Sequence, residues 1–513
     1  MVFPSRGCIT CKRRRIKCDS VHPICGRCLK ASRACAWEQN EQAGLLFVSE
    51  NAFAQGKPRR PWKPRERDSV TTEATDLLAE VELSPASPPI FLDDGTIKSW
   101  MENYVSRDSE MPESAREYGC YLRVYWDSLR HNSSLHLAAS AVASTVLGYT
   151  TRDNNMIQNA AALFAESVTR MQIEVQQLSQ DNIDELLITT MLVADYEEIT
   201  YRDGRNQSRE DSPSSAPNHD VIGSQFWEDN IYHEDAAGLL GLRQQRGWAP
   251  SPGLDSAVRR KVIRAYVLRG LLVDEWLQDG AQFGEEGPVL DLDSIIVRVA
   301  NLRARSLCLF LPKSGRFSDQ PHPGDLAIEA RNLDLALEFW SRNIPDDWKF
   351  STQPDSTPYA TFDGLVYVHA TYDQGAIWNQ YRALRIIVNS IRKRALAVMA
   401  QCAAQAVFVN AERGVCLEMI ASIATELCRS MPFFSPNHTA PGLASTITET
   451  RESNYEIPPK LAPLLAWPLV LAISTDDVPE PQKQWLKNKL KSIANILGNS
   501  FLTTVIEQGG FKF

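Results

Sequence analysis

The chain has 513 residues, with 54 Lys and Arg against 63 Asp and Glu, 43% apolar and 23% charged residues, and a formal net charge of −9. These are the proportions of a soluble globular protein, and the length leaves room for a large domain beside a small one. A membrane protein is excluded as the starting expectation. The most apolar run, 461–473, is too short to span a bilayer and contains Pro463 and Pro468. Met1 to Arg6 leads into a cysteine-rich run with no apolar leader, so an intracellular protein is expected.

The first element is that cysteine run. Cys8, Cys11, Cys18, Cys25, Cys28 and Cys35 follow the spacing C-x2-C-x6-C-x6-C-x2-C-x6-C, and the second three repeat the first three. A structural zinc takes four tetrahedral ligands, preferably thiolates. Six cysteines therefore serve two Zn2+ if two of them bridge. The repeat points to the leading cysteine of each half, Cys8 and Cys25, as the bridging pair. One zinc then takes Cys8, Cys11, Cys18 and Cys25. The other takes Cys25, Cys28, Cys35 and Cys8. A segment this short buries too little apolar surface to fold alone, so metal binding supplies its folding energy.

Lys12-Arg13-Arg14-Arg15-Ile16-Lys17 lies inside the cluster. Residues 1–35 carry nine Lys or Arg against one acid, Asp19, in a chain that is acidic as a whole. Positive charge gathered beside a metal cluster is a phosphate-binding footprint, so double-stranded DNA is the expected partner. A disulfide scaffold needs a secreted context, and a metallothionein-like sponge would have denser cysteines and no basic run. A zinc module that binds only protein is the remaining alternative.

The run Gly7 to Asp19, followed by Pro23-Ile24-Cys25-Gly26-Arg27-Cys28, resembles the fungal Zn2Cys6 binuclear-cluster transcription factors. That resemblance implies two zincs and two short helices, a nuclear location, and regulation of genes read by RNA polymerase II. It implies reading of CGG-type triplets in the major groove. By position after Cys11, Arg14 and Arg15 take the base-contacting role, and Arg suits bidentate contact with guanine. Lys12 and Lys17 match phosphate-holding positions. Lys12, Arg13, Arg14, Arg15 and Lys17 are thus the candidate DNA contacts, within a DNA-binding domain over 1–36.

Residues 37–95 read as a linker. It holds a basic arm at 57–67, with Lys57, Arg59, Arg60, Lys63, Arg65 and Arg67 among three prolines that prevent a helix. The arm reads as a nuclear-import signal or an extra phosphate grip. A heptad coiled coil is not expected here. Leu77, Leu78 and Val81 make about one turn before Pro85, well short of three heptads. The expectation is a monomer, or a dimer through the large domain. Residues 69–95 mix acids with apolar residues around prolines, as a short acidic segment or a plain linker.

From 96 to 513 the pattern is helical, and an all-helical domain is expected. Ile157, Ala160, Leu163, Phe164, Val168, Met171, Val175 and Leu178 recur at three- and four-residue steps, as do Ile183, Leu186, Leu187, Thr190, Met191 and Ala194. Further helices are expected at 257–277, 326–342, 373–400, 402–430 and 483–497. Residues 203–220, rich in Ser, Asp and Pro, read as a disordered insertion. Cys120, Cys308, Cys402, Cys416 and Cys428 read as reduced core residues. His233 reads as a packed core histidine, and Trp340, Trp348, Trp378 and Trp485 as core anchors. Arg382, among apolar neighbours, is expected to pair with a buried acid, with Glu197 one candidate.

This region resembles the helical fungal-specific transcription factor domain. The resemblance rests on Ala194-Asp195-Tyr196-Glu197, Trp227, His233, Ala237 to Leu240 and Arg246-Gly247. It also rests on Trp340, Ile344 to Trp348, Trp378 to Arg382, Trp467-Pro468-Leu469 and Trp485. It implies a regulatory domain that restrains activity, binds an effector or contacts transcription machinery and co-regulators. The chain contains no G-x-S-x-G, H-E-x-x-H, P-loop or dinucleotide-binding glycine motif, so an enzyme is not expected. The contrasting function is an interaction scaffold whose zinc cluster binds protein. A pathway-specific regulator, such as that of a secondary-metabolite gene cluster, is a weaker expectation by analogy.

Overall fold

The computed structural model describes Cys28 and residues 94–106, 116–126, 132–201, 232–310, 321–355, 361–400, 406–435 and 457–510. The chain divides into two units, 1–86 and 87–513. In the first, Cys28 is helical and buried. The expected basic arm and the insertion at 203–220 lie outside the described residues.

The second unit is built of helices whose ends follow local chemistry. Helix α1 (Asp94–Tyr104) buries Ile97, Trp100 and Met101, a three- and four-residue stripe. After α2 (Gly119–Trp126), α3 (Ser134–Thr151) starts where the Ser133 side chain accepts a hydrogen bond from the His136 amide at 3.2 Å. It is apolar nearly all round, and is correspondingly buried nearly all round, between α1, α4 (Asn154–Gln176) and α5 (Ile183–Thr200). Helix α3 ends at Arg152 in a left-handed conformation, and Asp153 starts the next helix, its carboxylate accepting from the Asn155 and Met156 amides. Helix α4 buries a single face, Ala160, Leu163, Ser167 and Met171, as its sequence period predicts.

Helices α6 (Tyr232–Gln245) and α7 (Pro252–Arg269) pack on each other, and both pack on α5. A buried ion pair network joins them. Arg243 binds both Asp184 and Asp255, and the Tyr125 hydroxyl donates to Asp184 at 2.6 Å. Helix α7 opens with Pro252 in its first turn and closes at Gly270 in a left-handed conformation. The positive φ at this turn favours glycine, and a Cβ there would also force the end of the Leu307 side chain to move.

Helices α8 (Gly287–Phe310), α9 (Pro323–Asn343), α10 (Tyr372–Met399) and α11 (Ala406–Ser430) then pack in succession. Helix α10 is their axis, buried almost continuously from Tyr372 to Arg392. Its polar residues therefore need partners. Arg385 forms a forked pair with Asp334 at 2.8 and 3.1 Å, and Asn389 donates to the same carboxylate at 2.9 Å. Helices α12 (Ala462–Ile473), α13 (Glu480–Leu497) and α14 (Ser500–Glu507) close the fold against α10, α11 and α5. The apolar run at 461–473 is thus a buried core helix. Among the described residues no helix is long and apolar enough to cross a membrane.

The expectation of an all-helical domain needs one correction. β1 (Ser351–Pro354) and β2 (Leu365–Val368) pair antiparallel, with Ser351 opposite Val368 and Pro354 opposite Leu365. β1 is polar and exposed throughout, so it carries no alternating apolar signal. Arg382 needs another correction: its acid is Glu426 on α11, at 3.5 Å, and Glu197 instead accepts from Tyr232. The Arg382 guanidinium lies within 5.1 Å of the Phe350 and Tyr367 rings and 5.6 Å of Trp378. These aromatic faces offset part of the solvation lost, while burial still holds the Arg382 pKa below its usual value.

Candidate functional site

Two places in the chain carry chemistry beyond packing. The first is the cysteine cluster. Cys8, Cys11, Cys18, Cys25 and Cys35, the basic run Lys12 to Lys17 and the arm residues lie outside the described residues. The fit to metal therefore rests on the donor set. Six thiols in two C-x2-C pairs, each followed by a lone cysteine, suit thiophilic, tetrahedral Zn2+, and no carboxylate or imidazole ligand is needed. Of the remaining cysteines, Cys402 and the Cys308 side chain lie outside what is described. Cys120, Cys416 and Cys428 are buried in the helical unit, and burial pushes the Cys416 thiol up to about 11, which keeps it protonated and inert.

The second place is a cavity of about 250 Å³ in the helical unit. Its walls come from α1, α2, α3, α5, α6, α7, α12, the end of α13 and α14. Most of the lining is apolar, including Leu122, Val146, Ile199, Trp467 and Phe501. One side is charged. The Lys261 ammonium lies 3.3 Å from Asp195 and 3.9 Å from Glu198. The Tyr118 hydroxyl donates to Asp195, and one Arg264 nitrogen donates to both oxygens of Glu117 at 2.9 Å. Burial pushes Lys261 down, but Asp195, Glu198 and Glu117 more than offset it and hold the ammonium charged. Burial raises the Glu198 carboxyl against the opposing pull of Lys261, and nearby Asp195 raises it further.

His233 stands at the same wall. It is buried, as expected of a core histidine, yet neither ring nitrogen has a hydrogen-bond partner among the described residues. Burial first, then Lys261, Arg269 and Arg264, hold its pKa well below the usual histidine value, so the imidazole is neutral.

Some of the fragments singled out in the sequence meet at two sites, while Trp227 lies outside the described residues. Asp195, His233 and Trp467 line the cavity. Trp340, Trp348, Trp378 and Tyr381 meet around α10. There the Trp340 and Trp378 rings are 5.2 Å apart edge to face, and the Trp378 indole donates to the Trp348 carbonyl at 2.9 Å. Trp340 and Trp378 are buried anchors, whereas Trp348 and Trp485 are only half-buried. Sequence reasoning singled out Asp195 but missed Glu117, Glu198, Lys261 and Arg264, which are gathered only by the fold.

A family model, the fungal Zn(2)-Cys(6) binuclear cluster domain, matches residues 6–43. The chain is 61% identical over 93 residues to an uncharacterized transcriptional regulatory protein of Schizosaccharomyces pombe, covering 16% of this chain and 18% of that one. It is 31% identical over 101 residues to the sterol uptake control protein 2 of Candida albicans, covering 16% and 14%. It is 30% identical over 86 residues to the sorbicillinoid biosynthetic cluster transcription factor of Hypocrea jecorina, covering 15% and 13%. The chain thus spans less than a fifth of the length of these relatives, and no solved structure matches it. By its cysteine spacing and this match, the chain carries a fungal Zn(2)-Cys(6) binuclear cluster domain over residues 6–43.

Proposed function

We propose that the chain is a nuclear, zinc-dependent, sequence-specific transcription regulator of RNA polymerase II genes that reads CGG-type triplets. The observation that carries the reading is the basic run Lys12 to Lys17 set between the cysteines of a domain matched as a Zn(2)-Cys(6) cluster. Cys8, Cys11, Cys18, Cys25, Cys28 and Cys35 would hold two Zn2+, with Cys8 and Cys25 shared. The metal supplies the folding free energy that so short a segment lacks. Arg14 and Arg15 read guanine edges, and Lys12, Arg13 and Lys17 neutralise phosphates. The arm from Lys57 to Arg67 adds phosphate contacts or directs nuclear import. The helical unit controls output, through effector or co-regulator contacts, and any dimer forms through it.

Similarity to a biosynthetic-cluster transcription factor supports a pathway-specific role of the same type. The test compares the zinc-loaded full chain with its Cys11→Ala variant, measuring bound zinc and DNA affinity together. Both should fall in the variant. Normal DNA affinity with depleted zinc would refute the proposal and favour an interaction scaffold.

A further inference from the structure

Helix α9 packs on α8 and α10 with one face buried, through Leu326, Ala330, Leu333, Leu337 and Trp340. Its opposite face carries a second pattern. Asp325, Ile328, Asn332, Leu335, Phe339 and Arg342 follow one another at steps of 3, 4, 3, 4 and 3 residues, and all six are exposed. Ile328, Leu335 and Phe339 are 61%, 52% and 69% exposed. Exposed apolar residues scattered singly need no explanation. Three of them on the a and d positions of one heptad pattern form a seam, the arrangement by which helices pair. The seam covers about two and a half heptads, short for a free-standing coiled coil. Here α8 and α10 already hold the helix, so pairing does not have to order it.

The ends of the seam select its partner. An acid, Asp325, stands at one end and a base, Arg342, at the other. Laid antiparallel against a second copy, the seam matches itself from end to end in one register. Asp325, Ile328 and Asn332 then meet Arg342, Phe339 and Leu335 of the second copy, in that order, and each contact occurs twice about the two-fold axis. Arg331, beside the seam, falls next to Glu338 of the second copy. A parallel pair would set Asp325 against Asp325 and Arg342 against Arg342. The helix dipole alone favours an acid in the first turn and a base in the last, but it does not put both on the exposed apolar face. We propose that the helical unit self-associates through this face of α9, as an antiparallel helix pair with a second copy of the chain. The proposal rests on the reading above that any dimer forms through the helical unit, and it names the surface.

The test is sedimentation velocity of the zinc-loaded full chain over a hundredfold range of micromolar concentrations. No DNA is present, so this inference and the DNA-binding proposal fail separately. A reversible monomer–dimer equilibrium is expected, and it should survive removal of zinc by a chelator. Leu335→Glu puts a charge into the seam from each copy and should weaken the dimer at least tenfold. Asp325→Arg sets like charges together at both ends and should weaken it several-fold, and adding Arg342→Asp should recover most of that loss. A role of either residue within its own helix would not produce the recovery. Phe408→Ser removes an exposed aromatic side chain on α11 and should leave the equilibrium unchanged. If Leu335→Glu loses its helical circular dichroism, the charge exchange between positions 325 and 342 decides. A dimer that persists in a folded Leu335→Glu overturns the α9 seam and leaves the helical unit as the dimer contact. A dimer lost with zinc overturns both readings. A chain monomeric over the whole range, an undiminished dimer in Asp325→Arg, no recovery in the double variant, or loss of the dimer in Phe408→Ser would each overturn the proposal.

Discussion

Arg259→Met tests whether the turns between α7 and α8 are held by one buried cation. The Arg259 guanidinium is fully buried. Its Nη1 and Nη2 each lie 2.9 Å from an oxygen of Asp293 on α8. Its Nε donates to the Leu277 carbonyl at 2.8 Å and Nη2 to the Gln278 carbonyl at 3.1 Å. The Phe283 ring lies 5.3 Å away. Methionine fills similar volume but leaves a buried carboxylate and two carbonyls unpaired. Breaking a buried pair from one side costs about 3–5 kcal/mol. That is a large part of the roughly 5–15 kcal/mol by which a domain is stable.

Urea unfolding followed by circular dichroism measures this loss from the midpoint and slope. Arg259→Met combined with Asp293→Leu removes the stranded charge and should recover about 2 kcal/mol, while the two carbonyls stay unpaired. Arg170→Ala breaks an exposed i,i+4 pair with Glu166 and should cost only about 0.5 kcal/mol. A loss below about 1 kcal/mol in Arg259→Met, or a double variant no better than the single one, would refute the reasoning.

Three further predictions concern DNA contacts and pH. Arg15→Ala should relax base choice at one triplet position, costing about 1–3 kcal/mol there, as binding to single-base variants of the preferred site would show. Lys17→Ala should weaken all sequences about equally and reduce the salt slope by about 0.9, and a sequence-selective loss would contradict its phosphate role. His369 is buried among Phe350, Trp378 and Phe433; burial first, then Arg382, hold its pKa well below 6.5. The unfolded chain then binds the extra proton as pH falls below about 6.5, so this group's contribution to stability is intact above that pH and lost below it. Asp235 acts in the opposite direction, because burial, with Glu234 beside it, raises its carboxyl to about 7. The informative quantity is therefore a difference. The stability of the unsubstituted protein relative to His369→Phe should fall by about 1.4 kcal/mol between pH 7.5 and 5.5, and a constant difference would show that His369 titrates normally.

The zinc-ligand proposal was legible in the sequence because its six donors fall within 28 residues and need no tertiary structure to be recognised. Helices with one buried face were legible for a related reason. The stripe from Ile157 to Leu178 announced α4, which runs from Asn154 to Gln176. Helix α8 gave no forecast although Asp291, Ser294 and Arg298 form its exposed face, and α10, buried on nearly all sides, has no polar face to say which neighbour each side meets. Partners remote in sequence were illegible. Arg382 needed an acid, but nothing local distinguished Glu426 from Glu197. The cavity is the extreme case, drawn from residues between Trp100 and Leu502, each of which reads alone as ordinary core or surface.

Selection from a random DNA pool tests the central claim most directly. The zinc-loaded full chain is run beside the same protein stripped by a chelator. Enrichment of CGG-type triplets by the zinc-loaded protein alone is the predicted result, a single triplet indicating a monomer and two at fixed spacing a dimer through the helical unit. Enrichment of no sequence, or equal enrichment after zinc removal, would contradict a zinc-dependent reader of DNA.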